Sequence, residues 1–420
     1  MTVELHHHPG RRRPSGTGHD LAPKKIRTTM RVIWSVVAAV VATVLAVPLT
    51  ASPATASDTG TAVARATASY RALQRYLAAD HGLYLETYPH REQDNPYSYV
   101  WPYSQALVGT LTLAGLPGGG RYAGDVTDRL RALEAYWNGE TDPPGYDSYL
   151  RPPLGQGGDK FYDDNEWIGL ALVQHHKQTG DKAALARADQ IFRLVVHGWD
   201  TDPSHPCPGG VYWTQAPWSQ DRNTISNGPG AELGLQLYLR TRKPEYLTWA
   251  KRMFAWADGC LRAPNGLYWD HIDLKGTIEK TQWSYNQGVM LGAATLLYQA
   301  TGDRTYLNKA RAIAAAAISF YTADDRWFTQ PARFNAIFFK NLLILDAQSP
   351  DPAYRKVIQR YADTVWDKVR NQQTGIFPTD LDSGRFSFTG GNQVTLLEQS
   401  AMVQIYGLLA WRPRDYRLLA

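Results

Sequence analysis

Apolar positions recur along the chain in two alternating styles. In "YLNKARAIAAAAISFY" from Tyr306 and "YRKVIQRYADTVWDKV" from Tyr354, apolar residues return every three or four places and polar residues fill the gaps. That spacing predicts amphipathic helices over roughly 61–79, 122–137, 182–197, 244–259, 304–321 and 352–371. Between them lie stretches that are apolar or small almost all round, such as "NQGVMLGAATLLYQA" from Asn286. These predict buried helices over roughly 101–114, 164–178, 225–240, 284–300, 333–347 and 393–410.

The connections alternate as well. A short polar turn follows five of the buried stretches: "QTGDKAAL" from Gln178, "RTRKPEYL" from Arg240, "QATGDRTYL" from Gln299, "QSPDPAYR" from Gln348, and more loosely "GLPGGGRYA" from Gly115. A glycine-plus-aromatic turn follows each amphipathic stretch: "HGLYLE" from His81, "GYDSY" from Gly145, "GGVYW" from Gly209, "NGLYWD" from Asn265, "DRWFT" from Asp325 and "TGIFPT" from Thr374. The repeat predicts an all-α fold, an (α/α)6 toroid of six outer/inner helix pairs. The short turns close one end. The long aromatic loops gather at the other, at the N-termini of the inner helices, and make that end the binding face. An open superhelical array of the same hairpins is the alternative.

The N-terminus changes the charge picture. Residues 30–56 have a basic start, an apolar run from Val32 to Val47 and an Ala54-Thr55-Ala56 site, the pattern of a secretory signal peptide. The run is roughly 16 residues, short of the roughly 20 that span a bilayer, so a retained membrane anchor is the lesser reading. Residues 1–56 are therefore expected to be an N-terminal extension and signal, and residues 57–420 a single catalytic domain. The full chain has 44 basic and 39 acidic residues. The leader takes seven and two of these and leaves 37 of each. The net charge of +5 belongs to the leader. A neutral remainder gives no reason to expect nucleic acid or an acidic membrane surface as partner. A neutral polysaccharide fits better, and a secreted monomer is expected. In an exported chain the only two cysteines, Cys207 and Cys260, are expected to pair.

"KFYDDNEWIGLAL", from Lys160, places Asp163 and Asp164 side by side at the mouth of the second buried helix, among Phe161, Tyr162 and Trp167. An acidic first turn that caps the helix is the plain explanation. Glycosidic cleavage, however, needs one carboxylate as nucleophile or base and one carboxylic acid for the leaving oxygen. Repulsion between neighbours and dehydration by the rings both hold one of the pair protonated. The other mouths bring rings and amides suited to sugars: Trp101; Tyr212, Trp213 and Asn227; Trp269, Tyr285, Asn286 and Gln287; and Asn392. No metal-ligand array and no phosphate loop occurs, so neither a metal nor an organic cofactor is expected.

"YDDNEWIGLAL", "GGVYW", "ISNGPGAELGLQLY", "WSYNQGVMLGA" and "WPYSQAL" together resemble glycoside hydrolase family 76, the α-1,6-mannanases and their fungal cell-wall relatives. The likeness runs from about Tyr70 to Tyr406. It implies the same toroid, with Asp163 as nucleophile and Asp164 as acid/base of a retaining endo-α-1,6-mannosidase. The polar "NEW" after the pair, where many relatives are apolar, is expected to reshape a subsite. A transglycosylase, another toroid glycosidase or lyase, and an inactive glycan-binding protein are the alternatives.

Overall fold

The computed structural model describes residues 56–419, and the expected signal segment lies outside them. Twelve helices carry the fold: α1 Ala56–Tyr76, α2 Val100–Ala114, α3 Ala123–Leu133, α4 Tyr162–Thr179, α5 Lys182–His197, α6 Thr224–Thr241, α7 Pro244–Cys260, α8 Ser284–Thr301, α9 Arg304–Thr322, α10 Ala332–Asp346, α11 Pro352–Lys368 and α12 Leu396–Ala410. The even-numbered helices form a closed ring in which α12 packs on α2. The odd-numbered helices lie outside it, α5 on α4, α7 on α6 and α9 on α8, for example. This is the (α/α)6 toroid, closed rather than open. Among the described residues, no helix is long and apolar enough to cross a membrane.

Burial explains the two sequence styles. Inner helices touch neighbours on every side: from Leu396 to Ala410 each residue of α12 is buried. Outer helices bury one stripe, as α9 does with Leu307, Ala310, Ile313, Ala314, Ala317 and Tyr321. Close approach of the inner helices needs small residues. A Cβ on Gly288 would stand 2.6 Å from the Cα of Phe338 on α10. Short turns close one end: Gly180 and Gly302 take left-handed backbone, and Asp181, Asp303 and Asp351 cap the helices that follow.

The element boundaries depart from expectation where loops pair. Residues Val394–Thr395 join Thr87–Tyr88 as a two-stranded ladder, so α12 starts at Leu396 rather than near 393. Trp137–Asn138 pairs with Gly145–Tyr146, which ends α3 early. A third sheet joins Asp221–Asn223, His271–Asp273 and Ile278–Glu279 and forms one wall of the open end.

Candidate active site

Each inner helix is tied to its aromatic loop by the residue four places after its N-cap. Asn165 on α4 donates to the carbonyls of Phe161 and Tyr146 and accepts from the Tyr146 N–H at 2.8 Å. Asn227 on α6 makes the same three bonds to Asn223 and Val211. Gln287 on α8 makes them to Trp283 and Tyr268. Asn335 on α10 holds the Trp327 carbonyl, Gln399 on α12 accepts from the Phe377 N–H, and Tyr103 on α2 donates to the carbonyls of Gly82 and Arg129. Loop backbone at the core needs such partners. The amides of Asn227 and Gln287, expected to meet sugar hydroxyls, are instead occupied by the backbone.

The latched loops surround an open cavity of about 810 Å³. Of the residues singled out from the sequence, Trp101, Asp163, Asp164, Trp213 and Tyr285 line it. The others lie elsewhere. Tyr162 is buried with its ring against Gly198. Trp167 faces a separate small chamber with Glu232, Lys340 and Asn341. Tyr212 and Trp269 do not line it: the Tyr212 backbone bridges Arg222, and the Trp269 carbonyl accepts from Thr224 at 2.6 Å. Asn286 donates to Asp270, 3.0 Å away, and exposed Asn392 accepts from Asn371. None of the "NEW" residues lines the cavity. Asn165 is a loop latch, and Glu166 is fully buried below Asp163. Cys207 and Cys260 are bonded, with Cα atoms 6.1 Å apart.

Phe161, noted beside the pair, also lines the cavity, whereas sequence reasoning missed Glu86, Asp159, Asp221, His271 and Phe334. One signal was available. Glu86 in "HGLYLE" and Asp270 in "NGLYWD" occupy the same place, four residues past the glycine of the aromatic turn. Both line the cavity. Phe334 stacks on Tyr285 at 3.9 Å and is backed by Arg333, whose guanidinium is 5.0 Å from the Phe334 ring and pairs with buried Glu398.

The electrostatics centre on α4. Its N-cap is Phe161, which supplies no side-chain cap. The first-turn N–H groups of Asp163 and Asp164 instead favour the charged form of the Asp163 carboxylate. Burial raises the Asp163 pKa to about 7 and the Asp270 charge pushes the same way, while those N–H groups and the Trp213 indole pull it down. Asp163 Oδ1 has no partner within the protein. Asp164 is held well above the usual carboxylate range by burial, then by Asp163 and Glu86. Burial also raises Glu86 to about 7, against the Tyr99 N–H that it accepts at 3.0 Å. His271 is raised mainly by its 2.9 Å hydrogen bond to Asp270. The cavity wall thus carries six carboxylates and one imidazole, and neither lysine nor arginine lines it. An aromatic trough with an adjacent, partly dehydrated carboxyl pair can bind a neutral polyol and exchange protons with it.

Comparison with known proteins gives the site a context. The chain is 28% identical to a mannan endo-1,6-alpha-mannosidase of Candida glabrata over 184 residues, 40% of this chain and 41% of the relative. It thus spans about two-fifths of the length of that curated relative. The fold is similar to a family 76 glycoside hydrolase (mannosidase) from Bacteroides thetaiotaomicron, with TM-score 0.73, 25% identity, and 83% of this chain and 98% of that one covered. It is also similar in fold to an inactive variant of an alpha-1,6-mannanase from Salegentibacter, solved with alpha-1,6-mannotriose, at TM-score 0.68 and 22% identity over 83% and 99% of the two chains. The family model described as glycosyl hydrolase family 76 matches residues 61–406, from the first outer helix to the last inner one. The chain belongs to glycosyl hydrolase family 76.

Proposed function

We propose that this chain is an exported, retaining endo-α-1,6-mannosidase acting on α-mannan. The observation that carries the reading is the adjacent pair Asp163 and Asp164, the first buried and the second half-buried at an inner-helix mouth inside an aromatic cavity, with both carboxyl pKa values raised. The Salegentibacter variant is inactive with two adjacent aspartates replaced by asparagine, which supports the same assignment here. The carboxylate-rich wall favours a neutral glycan over a uronate-bearing one. The Cys207–Cys260 bond supports export, since disulfides persist in oxidising compartments.

The chemistry follows from the protonation states. Asp164 keeps its proton at neutral pH and can deliver it to the leaving glycosidic oxygen. Asp163, ionised above about pH 7, attacks the anomeric carbon and forms a glycosyl ester. Asp164, now a carboxylate, takes a proton from water, and that water cleaves the ester. Trp101, Trp213 and Tyr285 offer ring faces to the sugar C–H bonds, and Asp270, oriented by Asn286 and His271, offers an acceptor for hydroxyls.

Neighbouring residues limit how far apart two carboxyl groups can stand. About 5 Å suits direct attack, whereas roughly 6.5–9.5 Å is needed to hold a water between base and sugar. Digestion of linear α-1,6-mannan, followed by proton NMR of the anomeric region in the first minutes, tests the reading. The α-anomer should appear first. A β-anomer appearing first would sink the mechanism, and no cleavage of linear or branched α-mannans would sink the substrate.

A further inference from the structure

Trp218 stands outside the cavity, yet it is built as carefully as the residues inside it. It is the most exposed large apolar side chain among the described residues, at 54%. Exposure of a single apolar side chain is ordinary; what sets this one apart is how it is held and what it adjoins. The ring is also held in place. Its indole N–H donates to Asp159 Oδ2 at 3.2 Å, and Asp159 lines the cavity. Trp218 packs edge-on against Trp213 at 6.2 Å and tilted against Phe161 at 6.1 Å, and both of those rings line the cavity.

The loop beneath Trp218 is fixed to the strand that leads into α4. The Thr214 hydroxyl and the Gln215 N–H both donate to the Lys160 carbonyl, at 2.8 and 2.9 Å. The Tyr162 N–H donates to the Trp213 carbonyl at 3.0 Å, one residue before Asp163. Ser219 closes the loop by bonding through its N–H to the Ala216 carbonyl and through its hydroxyl to the Thr214 N–H. The ring is therefore in fixed register with the carboxyl pair, and its ordering cost has been met before any ligand arrives.

We infer that Trp218, with Asp159 beside it, forms an outlying glycan subsite on the lip of the cavity, where a neutral hexose beyond those held at the carboxyl pair stacks on the indole. The ring face takes the apolar face of the sugar, and the Asp159 oxygen not bonded to the indole accepts a hydroxyl. This rests on the proposed mannosidase reading for the identity of the sugar. It adds that the protein selects long chains over short ones at this position.

The test uses Trp218→Ala, Trp218→Phe and the wild type on α-1,6-mannohexaose and on a short aryl α-mannobioside. Trp218→Ala should raise KM for the hexaose about tenfold, the effect of losing one aromatic contact, with kcat kept. The aryl mannobioside should be cleaved as by the wild type, which also reports that the variant is folded. Trp218→Phe should recover most of the loss. Equal KM values for the hexaose in wild type and Trp218→Ala would overturn the inference, as would a matching loss on the short substrate. Calorimetric binding of the hexaose to Asp163→Asn protein, with and without Trp218→Ala, separates the two proposals. Weaker binding without Trp218, in a protein that does not cleave mannan, would remove the mannosidase reading and keep the subsite. Cleavage with unchanged binding would do the reverse, and no binding at all would remove both.

Discussion

Asp163→Asn should abolish turnover and at the same time stabilise the fold at neutral and alkaline pH. The Asp163 carboxyl has its pKa raised from 3.8 to about 7, first by burial. A group whose folded pKa lies above its unfolded value binds its proton more tightly in the folded chain. The stability that this proton brings is complete below about pH 4 and is lost as the pH climbs through about 7. A gap of about three units, at roughly 1.36 kcal/mol each, makes that loss about 4 kcal/mol by pH 8. Asparagine is neutral throughout and can still accept from the first-turn N–H groups of α4. The variant should therefore match the wild type near pH 4.5 and exceed it increasingly up to pH 8. The proton is shared in effect with Asp164, so about 4 kcal/mol is a ceiling, and a gain above about 1 kcal/mol is expected. Denaturant unfolding followed by tryptophan fluorescence at about pH 4.5, 6 and 8 measures this. Parallel stability curves, or a variant less stable than wild type at pH 8, would show that burial does not raise this carboxyl. Such a gain on loss of function is what a site holding unfavourable charge for catalysis produces.

Asp164→Asn should lose activity on mannan by about 10²-fold or more, but far less on aryl α-mannosides, whose leaving groups need no proton. Equal losses on both substrates would refute the assignment of Asp164 as the acid. Asn227→Ala should cost about 3 kcal/mol, because the Val211 N–H and carbonyl and the Asn223 carbonyl lose their partner in the core. A raised KM with unchanged thermal stability would instead return Asn227 to direct sugar contact.

The candidate pair and the architecture were legible for one reason. Both depend on local position: Asp163 and Asp164 are neighbours at a helix start, and each helix declares its burial by its own periodicity. The boundary errors at α3 and α12 have the opposite cause. Val394–Thr395 extends only because Thr87–Tyr88, some three hundred residues earlier, lies beside it. Amides were misjudged because Asn227 and Gln287 carry the same donor and acceptor groups whether they meet a hydroxyl or a peptide bond. Their position four residues past each N-cap was visible in the sequence, but its meaning required seeing the loop backbone fold back onto that site.

Sequence alone determined the helix count, the inner and outer ranks, the polarity of the ring and the carboxyl pair at one mouth. Repeat order and 3.6-residue periodicity are properties of the chain, and they survive folding unchanged. Tertiary structure decided which rings face the cavity. Trp101, Trp213 and Tyr285 do, while Tyr162 and Trp167 beside the aspartates face away. On a helix, neighbouring residues point about 100° apart, so adjacency to the aspartates did not by itself carry Tyr162 or Trp167 into the cavity. Only the closed ring brings Glu86, Asp221 and Asp270 from separate loops to the same cavity. Burial within it, which no local window records, raises the Asp163 and Asp164 pKa values and sets the charge each carries.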